Sequence, residues 1–219
     1  MPRIILIRPG DTEYAHRHAL LGRCDPDLSE SGHLAARNLA DVLSRYPIQF
    51  LGVSPLKRAV ATALPLEYQQ DLTLHPAGAF HAADMGDWDT LSIDDIKSVD
   101  RARYEAWLKD PDFPAPGGES LREVFARVYP ELVNIVEYAH PDETICLVLQ
   151  QTVLRVACCA IMNLPLESAR RFHMDHGAFG VFERLYPGGP YQMLAWNYNS
   201  HLTHEETPLY EMEGELPGV

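Results

Sequence analysis

Arg8 and Arg58 are the residues of this sequence best suited to hold an anion. Arg8 closes the apolar run Ile4-Ile5-Leu6-Ile7, and Arg58 falls in the first turn of a helical stretch after a second apolar run, Phe50 to Val53. Ligands of open α/β sheets settle beyond the carboxyl ends of the strands. Two guanidiniums at such ends could therefore converge on one anion, assisted by backbone N–H groups at a helix N-terminus. Gln150-Gln151 follows a third apolar run, Thr144 to Leu149, and stands at an equivalent place. The competing reading is structural: each arginine pairs with a carboxylate, Asp11 or Asp84, and merely holds the fold. His16 with His18 and His173 with His176 form two close pairs, either of which could be half of a metal site. A metal needs three or four ligands, and no third partner stands at a telling spacing, so no metal is expected.

These groups must be positioned by alternating strands and helices. Ile4 to Ile7 has the continuous apolar pattern of a strand buried on both faces. Ser29 caps an amphipathic helix with Leu34, Leu39, Val42 and Leu43 on its apolar side. Phe50 to Val53 then predicts a strand, Lys57 to Leu64 a helix opened by Ser54-Pro55, and Leu72 to Leu74 a third strand. Phe80 to Asp89 lacks periodicity and reads as a loop, followed by a covering helix over Ser92 to Leu108 carrying Ile93, Ile96, Tyr104 and Leu108. After the Pro/Gly-rich loop Pro111 to Gly118, Ser120 caps a long helix toward Ala139, in which Pro130 predicts a kink. Thr144 to Leu149 is the next buried strand and Thr152 to Met162 its helix. Val181 to Leu185 and Gln192 to Trp196 read as a closing strand pair across Pro187-Gly188-Gly189-Pro190. Trp88 and Trp107 read as packing residues, and Cys158-Cys159 as facing the core. The expectation is one α/β domain over residues 1–219, with a covering insertion around 80–119 and an acidic tail from about 205.

Bulk properties narrow the partners. With 46% hydrophobic residues in 219, the chain is long enough for one sizeable core. Its 18 Lys+Arg against 31 Asp+Glu give a net charge of −13, which repels nucleic acid and anionic lipid, so neither is an expected partner. An anionic ligand must then be held by local cations. Cys24, Cys146, Cys158 and Cys159 make no Cys-x-x-Cys pair and read as reduced thiols, hence a cytoplasmic setting. The apolar run after Met1-Pro2-Arg3 is too short for a signal peptide, and none approaches the length of a membrane span.

Several segments, taken in order, resemble the histidine phosphatase superfamily, the phosphoglycerate-mutase-like proteins. Arg8-Pro9-Gly10-Asp11-Thr12-Glu13 resembles its Arg-His-Gly-Glu-Thr signature, and Asp25-Pro26-Asp27-Leu28-Ser29 the loop that follows. Ser54-Pro55-Leu56-Lys57-Arg58-Ala59 is similar to the second arginine motif, and Asp84-Met85-Gly86-Asp87-Trp88 to the acidic-glycine-tryptophan loop. Leu149-Gln150-Gln151-Thr152-Val153-Leu154-Arg155 resembles the Ser-His-Gly-Gly-Val-Leu-Arg stretch. Pro116-Gly117-Gly118-Glu119-Ser120 and Asn199-Ser200-His201-Leu202 also fit.

The resemblance implies a three-layer α/β/α sandwich around a mostly parallel sheet. It also implies a phosphoryl site in which one histidine attacks phosphorus, an acid donates a proton, and a second histidine with two arginines grips the phosphoryl group. This chain departs at each chemical position. Pro9 stands in the attacking histidine's place, Gln150 in the second histidine's, and Ala82, counted back from Asp84-Met85-Gly86, in the acid's. The phosphate-binding half survives as Arg8, Arg58, Thr12 and Gln150. Asp11, His16, His18 and Cys24 are the groups that could replace the nucleophile, and His81 or Asp84 the acid. The leading expectation is a catalytically degenerate member that holds a phosphorylated small molecule or peptide, with no cofactor. The alternatives are a divergent phosphomonoesterase using a substitute nucleophile and a non-catalytic assembly subunit; a homodimer is a further expectation from the family.

Overall fold

The computed structural model describes residues 2–140 and 142–202; the acidic tail lies outside them. Six strands form one sheet: β1 (Arg3–Ile7), β2 (Phe50–Val53), β3 (Leu74–Pro76), β4 (Thr144–Val148), β5 (Phe179–Arg184) and β6 (Tyr191–Tyr198). Their spatial order is β3-β2-β4-β1-β5-β6. The first four run parallel, and β5 and β6 close the sheet antiparallel, so the sheet is mixed. The helices are α1 (Glu30–Leu43), α2 (Lys57–Gln70), α3 (Ile93–Lys109), α4 (Leu121–Tyr138) and α5 (Gln151–Met162).

Strand alternation explains the layers. Ile4 and Leu6 point into a core shared with α3, α4 and α5, while Ile5 and Ile7 join α1 and α2 in a second core on the opposite face. All four side chains are fully buried. A strand covered on both sides has no polar face to show, so its sequence is an unbroken apolar run. At roughly 1.5–3 kcal/mol per buried aliphatic side chain, such a strand is strongly anchored.

Three serines cap helices. Ser29 Oγ accepts from Gly32 N–H at 2.9 Å and Ser92 Oγ from Asp95 N–H at 3.0 Å. Ser120 forms a reciprocal box with Glu123, whose carboxylate accepts from Ser120 N–H at 2.8 Å. Ser120→Ala is expected to cost about 1 kcal/mol of folding stability, read from the shift of the urea unfolding midpoint.

The elements differ from expectation in places. β3 falls at Leu74–Pro76, not Leu72 to Leu74: Asp71 takes a left-handed φ of 52°, ending α2, and the Leu72 N–H still bonds to Glu67 O. Pro76 is tolerated because β3 is an edge strand. α2 runs six residues past Leu64, through Pro65, to Gln70. In α1 the buried stripe is Gly32, Ala35, Ala36, Leu39, Ala40 and Leu43, with Leu34 exposed. α3 buries Ile96, Tyr104 and Trp107 rather than Leu108, and Trp107 meets Trp88 edge-on at 5.7 Å. α4 runs on through Pro130; the backbone that leaves helical angles is at Asp100 of α3. No described helix is long and apolar enough to cross a membrane.

Candidate anion-binding site

Three parallel strands deliver the expected residues to one edge. Ile7 and Val53 both stand in register with Val148, so β1, β2 and β4 end level with one another. The Leu149 N–H donates to Ile7 O at 2.9 Å and the Ser54 N–H to Val148 O at 3.0 Å. Arg8-Pro9, Ser54 and Gln150 therefore leave the sheet side by side. Arg58 follows one turn into α2, and α2 is tied to the first turn directly. The Gly10 N–H donates to Thr62 Oγ1 at 3.0 Å, and that hydroxyl donates to Arg58 O at 2.8 Å. The turn also lies flat on the start of α1, where a Cβ at Gly10 would stand 2.6 Å from Gly32 O. Asp11 is buried there, its carboxylate accepting from the hydroxyls of Ser29 at 2.9 Å and Ser31 at 3.0 Å. Thr12 is buried beside it, and its carbonyl accepts from Ala15 N–H.

Each arginine is already gripped by protein. Because β5 runs antiparallel to β1, the residues just before β5 come alongside Arg8: its N–H donates to Ala178 O, and its carbonyl accepts from Gly177 N–H. The Arg8 guanidinium donates through Nη1 to Met174 O at 2.5 Å and lies 2.6 Å through Nη2 from His176 Nε2. A guanidinium only donates, so Nε2 is the acceptor and the imidazole proton sits on Nδ1, which faces Pro9 O at 3.3 Å. Burial first, then the Arg8 charge, push the His176 pKa well below the usual histidine range, so the ring is neutral at pH 7. Arg58 is 4% exposed and donates to Cys24 O at 2.6 Å and Gly22 O at 2.8 Å, with Asp25 Oδ1 3.7 Å away. Asp89 holds the same loop, accepting from Gly22 N–H at 2.7 Å and Cys24 N–H at 2.9 Å. Burial lowers the Arg58 pKa, and Asp25 and then Asp89 oppose it. The carboxylate facing Arg58 is thus Asp25, whereas Asp84 lies 3.4 Å from Arg23.

The positions that depart from the family motif carry no obvious chemistry. Pro9 is buried, and its ring nitrogen is an amide without a usable lone pair. Ala82 is buried, and its carbonyl accepts from Arg127 Nη2 at 3.1 Å. Arg127 also bonds Glu119 at 2.9 Å. Burial works against the Glu119 charge, but Arg127, the Asp84 N–H and Arg23 hold its pKa below the ordinary range, so it is no proton reservoir at neutral pH. Gln150 is the N-cap residue of α5 but makes no side-chain cap; its Nε2 and Oε1 are both buried without a hydrogen-bond partner. Ser54 Oγ, Gln151 Oε1 and His81 Nδ1 are likewise buried without a hydrogen-bond partner, and so is Asp25 Oδ1, which is ion-paired with Arg58.

His173 and His176 do not act as a pair. His173 Nε2 meets Asp175 at 2.8 Å, while His176 turns to Arg8. His16 has no described side chain, so its place as a substitute nucleophile lies outside the described residues. Among the described residues no three His, Cys, Asp or Glu side chains gather as a metal site. His176 is the site residue that sequence reasoning missed, since 168 positions separate it from Arg8. The signal was there only in the antiparallel pairing of β5 with β1.

The family model of the histidine phosphatase superfamily (branch 1) matches residues 4–199. The chain belongs to the histidine phosphatase superfamily. Among similar proteins, phosphoserine phosphatase 1 of Hydrogenobacter thermophilus is 29% identical over 182 residues, covering 83% of this chain and 86% of its own. Glucosyl-3-phosphoglycerate phosphatase of Mycobacterium tuberculosis is 28% identical over 171 residues, 75% of this chain and 77% of its own. The solved structure of a mycobacterial glucosyl-3-phosphoglycerate phosphatase with VO3 superposes with a TM-score of 0.82 at 25% identity, covering 89% of this chain and 98% of that one. For this histidine phosphatase chain, the α/β architecture and the order of its motifs are therefore those of the family.

Proposed function

We propose that this member of the superfamily binds a phosphate-bearing or other anionic ligand without turning it over. The observation that carries the proposal is Pro9: in the place of the attacking histidine stands a peptide-bound ring nitrogen that cannot form a phosphoenzyme. Two neighbouring groups are already engaged. The Asp11 carboxylate is bonded by Ser29 and Ser31, and His176 Nε2 spends its lone pair on Arg8. Arg8 and Arg58 keep the charge an anion needs, and the named activities of the relatives make a phosphoryl group the favoured ligand class.

The test is a phosphate-release assay on a panel of phosphomonoesters, phosphoserine and glucosyl-3-phosphoglycerate included, alongside calorimetric titration with inorganic phosphate. No release above buffer is expected, with phosphate binding that weakens at least about tenfold in Arg8→Ala, the loss of one charge-assisted contact. Turnover that disappears in His176→Ala or Asp11→Asn would overturn the proposal in favour of a divergent phosphomonoesterase. No binding at millimolar phosphate would overturn it in favour of an assembly subunit.

A further inference from the structure

The segment that grips Arg8 is itself gripped by the end of β6. Its partners alternate: Met174 O and His176 Nε2 take the Arg8 guanidinium, while His173, Asp175 and Gly177 turn to β6 and the residues just past it. Trp196 Nε1 donates to His173 O, and His201 Nε2 donates to Gly177 O at 2.9 Å. Asp175, between the two residues that hold Arg8, is the most heavily bonded. Its N–H donates to Asn197 Oδ1 at 2.7 Å, and its Oδ2 accepts from Asn197 Nδ2 at 3.0 Å and Asn199 Nδ2 at 2.8 Å. Its Oδ1 meets His173 Nε2 at 2.8 Å. Asn197 reaches Asp175 from a left-handed backbone, φ 53°, which asparagine tolerates better than most residues. Burial opposes the Asp175 charge, but His173, Asn197 and Asn199 hold its pKa below the ordinary range, so the carboxylate is ionised at neutral pH. That charge is felt at His176, beside Arg8. A carboxylate there repels an anion. Its contribution is therefore geometric.

We infer that Asp175 is the positioning residue for Arg8: it ties segment 174–176 to β6, and so fixes where the Arg8 guanidinium stands and how it is aimed. The inference rests on the anion-binding reading above and adds what orients one of its arginines. A guanidinium is a planar fork that binds an oxyanion well only when its plane is set. Such a group needs neighbours that lock it.

Calorimetric titration of the full chain with inorganic phosphate tests this by the sign of the effect. Acting only as a charge, Asp175 would hinder the anion, and Asp175→Ala would tighten binding. The expected result is the opposite, a weakening of at least about tenfold, the low end of the loss when a partner that orients a binding group is removed. Asp175→Asn removes the same charge but keeps an oxygen for Asn197 and Asn199, and its NH2 can donate to His173 Nε2 once that ring carries its proton on Nδ1. Its phosphate affinity should stay within about threefold of the unaltered chain, or rise. Asn197→Gly keeps the left-handed backbone, removes two of the bonds, and should weaken phosphate about threefold or more. That variant decides the matter if Asp175→Ala does not fold. Ser120→Ala, which costs stability at the α4 cap, should change the affinity less than about twofold. Unchanged or tighter binding in Asp175→Ala or Asn197→Gly, a loss in Asp175→Asn as large as in Asp175→Ala, or an equal loss in Ser120→Ala overturns the inference and leaves anion binding standing. No phosphate binding by the unaltered chain overturns both.

Discussion

Gly86→Ala is expected to lower folding stability by about 3 kcal/mol, seen as a lower urea midpoint with little change in slope. Gly86 has φ +50°, where a Cβ alone costs roughly 1–2 kcal/mol. The added carbon would also overlap the Pro116 carbonyl oxygen and stand 2.6 Å from both Gly117 C and Gly118 N. All three are backbone atoms, so no side chain can swing away, and forcing such a contact costs roughly another 1–3 kcal/mol. Relief would stretch the bonds joining the two loops, Asp87 N–H to Pro116 O and Glu119 N–H to Asp84 O, both 2.8 Å. Gly78→Ala is the control, since nothing lies within 4 Å of a Cβ there and its φ is not positive. If Gly86→Ala costs no more than Gly78→Ala, the packing of the two loops described above is wrong.

Pro9→His, Gln150→His and Ala82→Glu together are expected to create the phosphomonoesterase turnover that the proposed binding function denies the parent. The scaffold for it persists: Arg8 and Arg58 hold their places through backbone carbonyls, which the three substitutions leave intact. The Pro9 carbonyl that meets His176 Nδ1 is main chain and survives the change. Position 150 is buried with its polar atoms unpartnered, so an imidazole there displaces no hydrogen bond. Ala82→Glu is the demanding change, because Ala82 is 1% exposed. Its contribution is separable: the double variant with Ala82 unchanged should turn over about 10²–10⁴-fold more slowly, the usual worth of a general acid. Release kinetics with a chromogenic phosphomonoester measure both, and Arg8→Ala in the triple background should abolish the gain. A triple variant that still binds phosphate but releases none would show that these three positions do not meet at one phosphorus atom.

The arginine motifs were legible because local spacing carries them: a residue that ends an apolar run ends a strand, and Arg58 is fixed by the helix that follows. The serine caps at Ser29 and Ser120 were legible for the same reason. β3 was misplaced because His75-Pro76 has the composition of a turn, and only the edge position of that strand admits proline. The face of α3 was misread because Leu108 fits helical spacing as well as Trp107 does, and what decides between them is Trp88 packed from another loop. His176 was invisible as an Arg8 partner because no local pattern links a residue ahead of β5 to the end of β1. Which carbonyls would take Arg58 depended on the path of the loop at Gly22 to Asp25, set by Asp89 from a distant segment.

The Cys24 carbonyl that steadies Arg58 belongs to the one partly exposed cysteine of the chain. Cys146, Cys158 and Cys159 are buried, and burial lifts the Cys158 thiol to about 12 and the Cys159 thiol to about 11. A thiol-directed dye therefore attaches at a single address, on the residue whose carbonyl holds the Arg58 guanidinium of the proposed anion site. The molecule comes with its own place for a fluorescent reporter of occupancy, without a cysteine having to be added or removed.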